Sequence, residues 1–111
     1  MNGSDRWRLE HIADALNSAM DFIRERQRAD LDSNQMLVFA LTRALEIVGE
    51  AASKVSSDGR TEFPDLPWPL MIGMRNRLVH AYFDVDIDTL WDTVTEAVPP
   101  LAKRLKEILT G

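Results

Sequence analysis

Apolar residues fall three and four apart along almost the whole chain, and that spacing admits helices and little else. From Asp5 to about Arg28, Leu9, Ile12, Ala13, Leu16, Ala19, Met20 and Ile23 form one stripe, the signature of a helix that buries one side. Leu37, Leu41, Ala44, Val48, Ala51 and Val55 form a second stripe, with Phe39 and Ile47 on its flank. Leu101, Leu105, Ile108 and Leu109 give a last helix its apolar side. No segment alternates with period two for long enough to read as a strand.

The punctuation between these stripes sets the expected boundaries. Met1 to Ser4 reads as a disordered lead-in. Asp32 is the expected N-cap of the second helix, with Gln35 three residues on as its capping-box partner. Ser56-Ser57-Asp58-Gly59-Arg60 ends that helix, and Pro64, Pro67 and Pro69 forbid regular helix before about Trp68. Pro69 suits the first turn of a third helix running to His80 or Ala81. Asp86 can cap a short fourth helix through Val94, and Pro99 and Pro100 restart or kink it. The expected fold is all-α, an up-and-down four-helix bundle with a short extra helix, forming one domain over residues 5–110.

With 111 residues, 45% of them hydrophobic, the chain can fill a single core but not two. It has no apolar run of about 18 residues, so no membrane span is expected, and it opens on no signal-peptide pattern. Cysteine is absent, which removes disulfides, thiolate catalysis and thiolate metal sites together. These features favour the cytoplasm. The net charge of −5 argues against an extended nucleic-acid surface, which carries a basic excess. Charge is unevenly placed, however. Arg24, Arg26 and Arg28 cluster in one place and Arg75 and Arg77 in another, while Asp84, Asp86, Asp88 and Asp92 make an acidic segment. Local basic patches can bind RNA, an acidic surface can meet a basic protein, and either cluster can be a solvated helix face.

Several chemistries are excluded by inspection. Asp84-x-Asp86-x-Asp88 begins like a calcium loop, but Thr89 stands where glycine is needed and Thr95 where the bidentate glutamate belongs. There is no Gly-rich phosphate loop and no HExxH pair. Glu46 and Glu50 lie four apart on the second helix, without the further Glu and Glu-x-x-His that a bundle metal site needs; Glu46 is expected to pair with Arg43. His11 stands on the first helix without neighbouring ligands. No metal and no cofactor are expected.

Arg75-Asn76-Arg77-Leu78-Val79-His80-Ala81-Tyr82 is the segment that carries chemistry. Histidine moves protons near neutral pH, and arginine supplies a permanent planar cation for phosphate. On a helix, Asn76 and His80 would share a face, so Asn76 could hold the imidazole in one tautomer. Arg75 would lie about 140° around the axis from His80. Convergence then requires His80 at a helix end, or a second copy of the segment across a twofold axis. The plainer alternative has His80 capping a helix C-terminus, Arg75 paired with a surface carboxylate, and Tyr82 packing.

An arginine, four residues, a histidine, one residue and a tyrosine make a motif that resembles the HEPN domains, specifically the HepT-like toxins. Ala44-Leu45-Glu46-Ile47-Val48-Gly49-Glu50-Ala51-Ala52 is similar to that family's second-helix signature. Pro67-Trp68, Ile72-Gly73-Met74-Arg75-Asn76-Arg77 and Asp86-Ile87-Asp88-Thr89-Leu90-Trp91 follow in the family's order. The resemblance spans roughly Asp5 to Leu109. It implies a metal-independent endoribonuclease toxin of a type VII-like toxin–antitoxin pair, working as a homodimer with a composite cleft. In that cleft His80 would be the general acid/base and Arg75 would stabilise the phosphorane, with Asn76 and Arg77 supporting the site. Tyr82 would accept AMP from a nucleotidyltransferase antitoxin. The substrate would be RNA and not DNA, because the attacking 2′-hydroxyl is required. The alternative is a non-catalytic dimeric helical module that binds a nucleotidyltransferase or a nucleotide; the acidic balance favours it, whereas the intact Arg75, Asn76, His80 and Tyr82 set favours the enzyme. Trp68, Met71, Met74, Phe83 and Trp91 are more large apolar residues than a small bundle buries, so a dimer interface is expected near helices three and four.

Overall fold

A computed structural model describes residues 1–81 and 84–111. Helix α1 (Gly3–Phe22) starts earlier than the stripe requires, because the Asn2 side chain accepts the Asp5 N–H at 2.7 Å and caps it. The Met1 amino group pairs with Glu62 at 2.9 Å. The expected disordered lead-in is therefore an anchored helix start. At its other end α1 stops at Phe22 rather than about Arg28. The following run of charged residues has nothing apolar to bury, and Glu25 turns the chain at φ 63°, a conformation that costs a non-glycine residue about 1–2 kcal/mol.

After the short helix α2 (Asp30–Ser33), α3 (Gln35–Ser53) begins at Asn34, whose side chain accepts the Leu37 N–H at 3.0 Å. Asn34, not Asp32, is thus the N-cap. Asp32 lies inside α2 and pairs with Arg28 at 2.9 Å. The Ser56–Arg60 stretch does end the long helix, but residues Ser57–Glu62 then form helix α4, capped by Ser56 Oγ accepting the Gly59 N–H at 3.0 Å.

The prolines delay the next helix as expected. Helix α5 (Trp68–Ile72) has Pro69 in its first turn and is five residues long. It does not run to His80. Gly73 caps it, a 3₁₀ turn follows at Arg75–Arg77, and Val79–Ala81 forms strand β1, antiparallel to β2 (Asp84–Val85) with Val79 opposite Val85. Two forces divert the chain. Leu78 is fully buried, and its carbonyl accepts the Asp86 N–H at 2.7 Å. The β-branched pair Val79 and Val85 favours extended backbone over helix. The ladder is too short to change the all-α class.

Helix α6 (Ile87–Asp92) is capped by Asp86, as its position in the sequence suggested, through the Thr89 N–H at 3.1 Å. It continues through a π-helical turn (Thr93–Ala97) into α7 (Val98–Thr110). Pro99 and Pro100 bring no amide hydrogen, so they cannot close an ordinary α ladder with the preceding turn. The wider turn absorbs them, while Thr93 and Thr95 hydroxyls donate to the Thr89 and Trp91 carbonyls at 2.7 and 2.8 Å.

The core lies where α1 packs on α3 and α7. Leu9, Ile12, Leu16, Leu41, Leu45, Val48, Leu90, Val94 and Leu105 are fully buried there. Each such aliphatic side chain contributes about 1.5–3 kcal/mol by leaving water. Trp68, Met71 and Met74 belong to this core, at 7%, 0% and 1% exposure, so they are not the surplus expected to face a partner. Trp91 packs half-buried against it, and Phe83 lies outside the described residues. Among the described residues, the large apolar side chains left most open are Met36 and Phe39, at 79% and 61%, on the first turns of α3.

Candidate active site

Glycine 49 brings the two halves of the site together. A Cβ there would stand 3.0 Å from the Ile72 carbonyl oxygen and 3.2 Å from that of Met71. Only a residue without a side chain lets the end of α5 come this close to α3. Arg75, three residues past Ile72, is thereby delivered to Glu46 of α3.

Arg75 Nε lies 3.0 Å from Glu46 Oε2. That nitrogen is buried without a well-aimed hydrogen-bond acceptor, whereas the side chain as a whole is 41% exposed. The contact is therefore a close ion pair with part of the guanidinium still open to solvent. The other Glu46 oxygen is taken by Arg43, the partner expected from the sequence, and Arg43 also lies 3.8 Å from Glu50. Glu46, Gly49, Glu50, Ser53, Ile72, Arg75 and Asn76 line an open cleft of about 330 Å³.

His80 stands apart from that cleft. Its place on β1 leaves the side chain 61% exposed, with Nε2 3.8 Å from Asp86 Oδ2. Asp86 is itself fixed, since its other oxygen caps α6. The Thr89 backbone N–H, then the Thr89 hydroxyl, and then the nearby His80 hold its carboxyl below the usual carboxylate range. The expected overlay of Asn76 and His80 on one helical face is not formed, because a 3₁₀ turn and a strand separate them. Asn76 and Arg77 are both exposed, and among the described residues Arg77 has no ion-pair partner. Tyr82, the expected AMP acceptor, lies outside the described residues.

The basic cluster at the end of α1 is largely neutralised. Arg24 pairs with Asp21 at 2.5 Å, and Arg28 pairs with Asp32 and with Asp88 at 2.9 and 2.7 Å. Among the described residues no three His, Asp or Glu side chains gather as a metal-binding group, and no helix is long and apolar enough to cross a membrane. The sequence reading missed two relationships: Glu46 with Arg75, and Asp86 with His80. Gly49 was the available signal for the first, and the N-cap position of Asp86 for the second.

The all-α fold is consistent with a HEPN-type helical bundle. The chain belongs to the family described as "Ribonuclease HepT-like", whose pattern matches residues 12–108. A Thermococcus cleftensis protein named "Probable ribonuclease HepT" is 39% identical over 108 residues, covering 97% of this chain and 98% of its own. A Methanocaldococcus jannaschii protein named as a "Putative RNase" is 38% identical over 98 residues, covering 88% of this chain and 90% of its own. Another so named, from Caldanaerobacter subterraneus subsp. tengcongensis, is 34% identical over 101 residues, covering 91% and 90%. No solved structure matches the chain.

Proposed function

We propose that this protein is a metal-independent endoribonuclease of the toxin type, held in check by a nucleotidyltransferase antitoxin that attaches AMP to Tyr82. The observation that carries the reading is the placement of Arg75 and Asn76 on one cleft, with His80 solvent-accessible beside a fixed carboxylate, in a chain whose relatives are named as ribonucleases.

The chemistry follows from these groups. Neutral His80 takes the proton of a ribose 2′-hydroxyl, and that oxygen attacks the adjacent phosphorus. Negative charge builds on the phosphorane oxygens, where the permanent cation of Arg75 stabilises it. The bond to the 5′-oxygen breaks, and that oxygen leaves with a proton returned by an imidazolium. The products are a 2′,3′-cyclic phosphate and a 5′-hydroxyl. Asn76 orients a phosphate oxygen, and Arg77, without an ion-pair partner among the described residues, adds positive charge nearby. Arg75 lines the cleft and His80 lies outside it, a separation that a homodimer would bridge if one copy's arginine meets the other's histidine. Isologous C2 contacts are the commonest way to build such a shared cleft.

AMP on Tyr82 would place negatively charged phosphate two residues from His80, competing for the cations that bind substrate phosphate. A second reading is favoured by the net charge of −5 and by the Arg75–Glu46 pair: a non-catalytic dimeric module that binds the nucleotidyltransferase or a nucleotide.

The deciding experiment incubates purified protein with RNA in excess EDTA. Cleavage leaving 2′,3′-cyclic phosphate, lost in His80→Ala and strongly but measurably reduced in Arg75→Ala, supports the enzyme. Loss of cleavage on chelation, or equal cutting of DNA, refutes the mechanism. Binding of the nucleotidyltransferase with no cleavage under any of these conditions favours the module.

A further inference from the structure

The Glu46 carboxylate holds two arginines, one from its own helix and one from the 3₁₀ turn. Arg43 lies one turn earlier on α3 and takes Oε1, while Arg75 lies 3.0 Å from Oε2. We propose that Glu46 is a positioning residue for Arg75, fixing its guanidinium at the rim of the cleft, and that Arg43 keeps the carboxylate from cancelling Arg75's charge. This inference rests on the ribonuclease reading above.

Three observations carry it. An arginine in water samples many rotamers, and holding one costs side-chain entropy. A carboxylate in place beforehand removes that cost from the reaction step, which is the basis of electrostatic preorganisation. Glu46 is suited to the task because it is the less exposed partner, at 29% against 41% for Arg75 and 60% for Arg43. It sits mid-way along the 19-residue helix α3, one turn before the glycine that sets the distance to α5.

The second observation is the buried Nε of Arg75, which has the carboxylate close by but no aligned hydrogen bond. Glu46 therefore grips one edge of the guanidinium, and part of the side chain stays exposed. A bidentate lock of the kind Arg104 makes with Asp65, at 2.6 and 3.3 Å, would use the donors that a phosphate needs. The third is charge. Two guanidiniums on one carboxylate leave the group with a net positive charge. Glu50 reaches Arg43 only at 3.8 Å, from a side chain 61% exposed, where water screens it.

The test is a double-mutant cycle on RNA cleavage by the full-length protein, with thermal unfolding measured on each variant. Glu46→Gln keeps size and loses charge. It should lower kcat by about tenfold or more with KM within about twofold, the pattern for an interaction that matters only in the transition state. Glu46→Asp should recover part of the loss. In an Arg75→Ala background Glu46→Gln should do nothing further, because a residue acting through Arg75 has no effect once Arg75 is gone. Full activity in Glu46→Gln, or losses that multiply with Arg75→Ala, overturns the proposal. Wild-type cleavage that survives both Arg75→Ala and His80→Ala overturns the ribonuclease reading itself, and this inference with it. The Arg75 Nε–Hε NMR signal gives a readout without catalysis. Glu46→Gln should shift it and lower its order parameter, and an unchanged signal shows that Glu46 does not hold Arg75.

Discussion

Asp5 and Ser56, 51 residues apart in the chain, are joined by two hydrogen bonds: the Ser56 N–H donates to Asp5 Oδ1 at 2.9 Å, and its hydroxyl to Oδ2 at 2.5 Å. Asp5 is buried at the edge of the core, 3% exposed. The two donors of Ser56, the backbone N–H first, hold its carboxyl below the ordinary value. The same Ser56 hydroxyl caps α4, so the start of α1 and the start of α4 are one polar unit.

The pH dependence follows from the sign of that shift. A depressed native pKa means that the unfolded chain takes up protons first as pH falls. Stability is complete above the unfolded value of about 3.9 and is lost as pH drops through the native one. Asp65, held down mainly by Arg104, and Asp86, held down mainly by Thr89, act in the same direction. Asp5→Asn should lower unfolding free energy at pH 7 by about 2 kcal/mol, the scale of hydrogen bonds to a charged group. It should also flatten the fall in stability below about pH 4. Urea melts across pH 2.5 to 7 check both; an unchanged acid limb would show that Asp5 does not titrate with folding.

Gly49→Ala should separate stability from site geometry. Its methyl meets two backbone carbonyls of α5 rather than flexible side chains, so α5 must retreat by a few tenths of an ångström at a cost of about 1–3 kcal/mol. Arg75 is carried with it. Cleavage should fall by more than the folded fraction does, which parallel denaturation and activity measurements would reveal.

Dimerisation is expected at micromolar concentration in sedimentation equilibrium. Mixing the strongly impaired Arg75→Ala with inactive His80→Ala should restore about a quarter of the wild-type sites if each cleft takes its arginine from one copy and its histidine from the other. A clean monomer, or no recovery on mixing, removes the composite site.

Co-expression with a nucleotidyltransferase partner should add one or more AMP masses to the peptide containing Tyr82. Tyr82→Phe removes one hydroxyl and keeps the ring, so folding and some cleavage should persist while neutralisation is lost. Modification elsewhere, or equal neutralisation of Tyr82→Phe, would mean that control rests on direct binding of the partner.

Helix periodicity made the α1, α3 and α7 stripes legible, and with them the all-α class and most of the core, because burial of one helical face leaves a local pattern. The cap at Asp86 was legible because an N-cap is a local bond between one side chain and the amide three residues on. The end of α5 was not. A proline start and an apolar run through Leu78 read as continuous helix, whereas Val79 pairs with Val85 and Leu78 anchors Asp86. Those are tertiary contacts with no local trace. The motif residues themselves were visible as a string, but their arrangement was not, since Glu46 and Arg75 meet only after Gly49 has brought two elements together.

Asp86 spends one oxygen on the first turn of α6 and turns the other toward His80. The helix it starts runs on through α7, whose Leu109 carbonyl accepts from Arg6 of α1. A ligand at His80 would therefore sit beside the residue that caps a helical segment running unbroken from Ile87 to Thr110. Solvent exchange at the Thr89 amide would reveal whether occupancy there reaches the helix, without following any reaction.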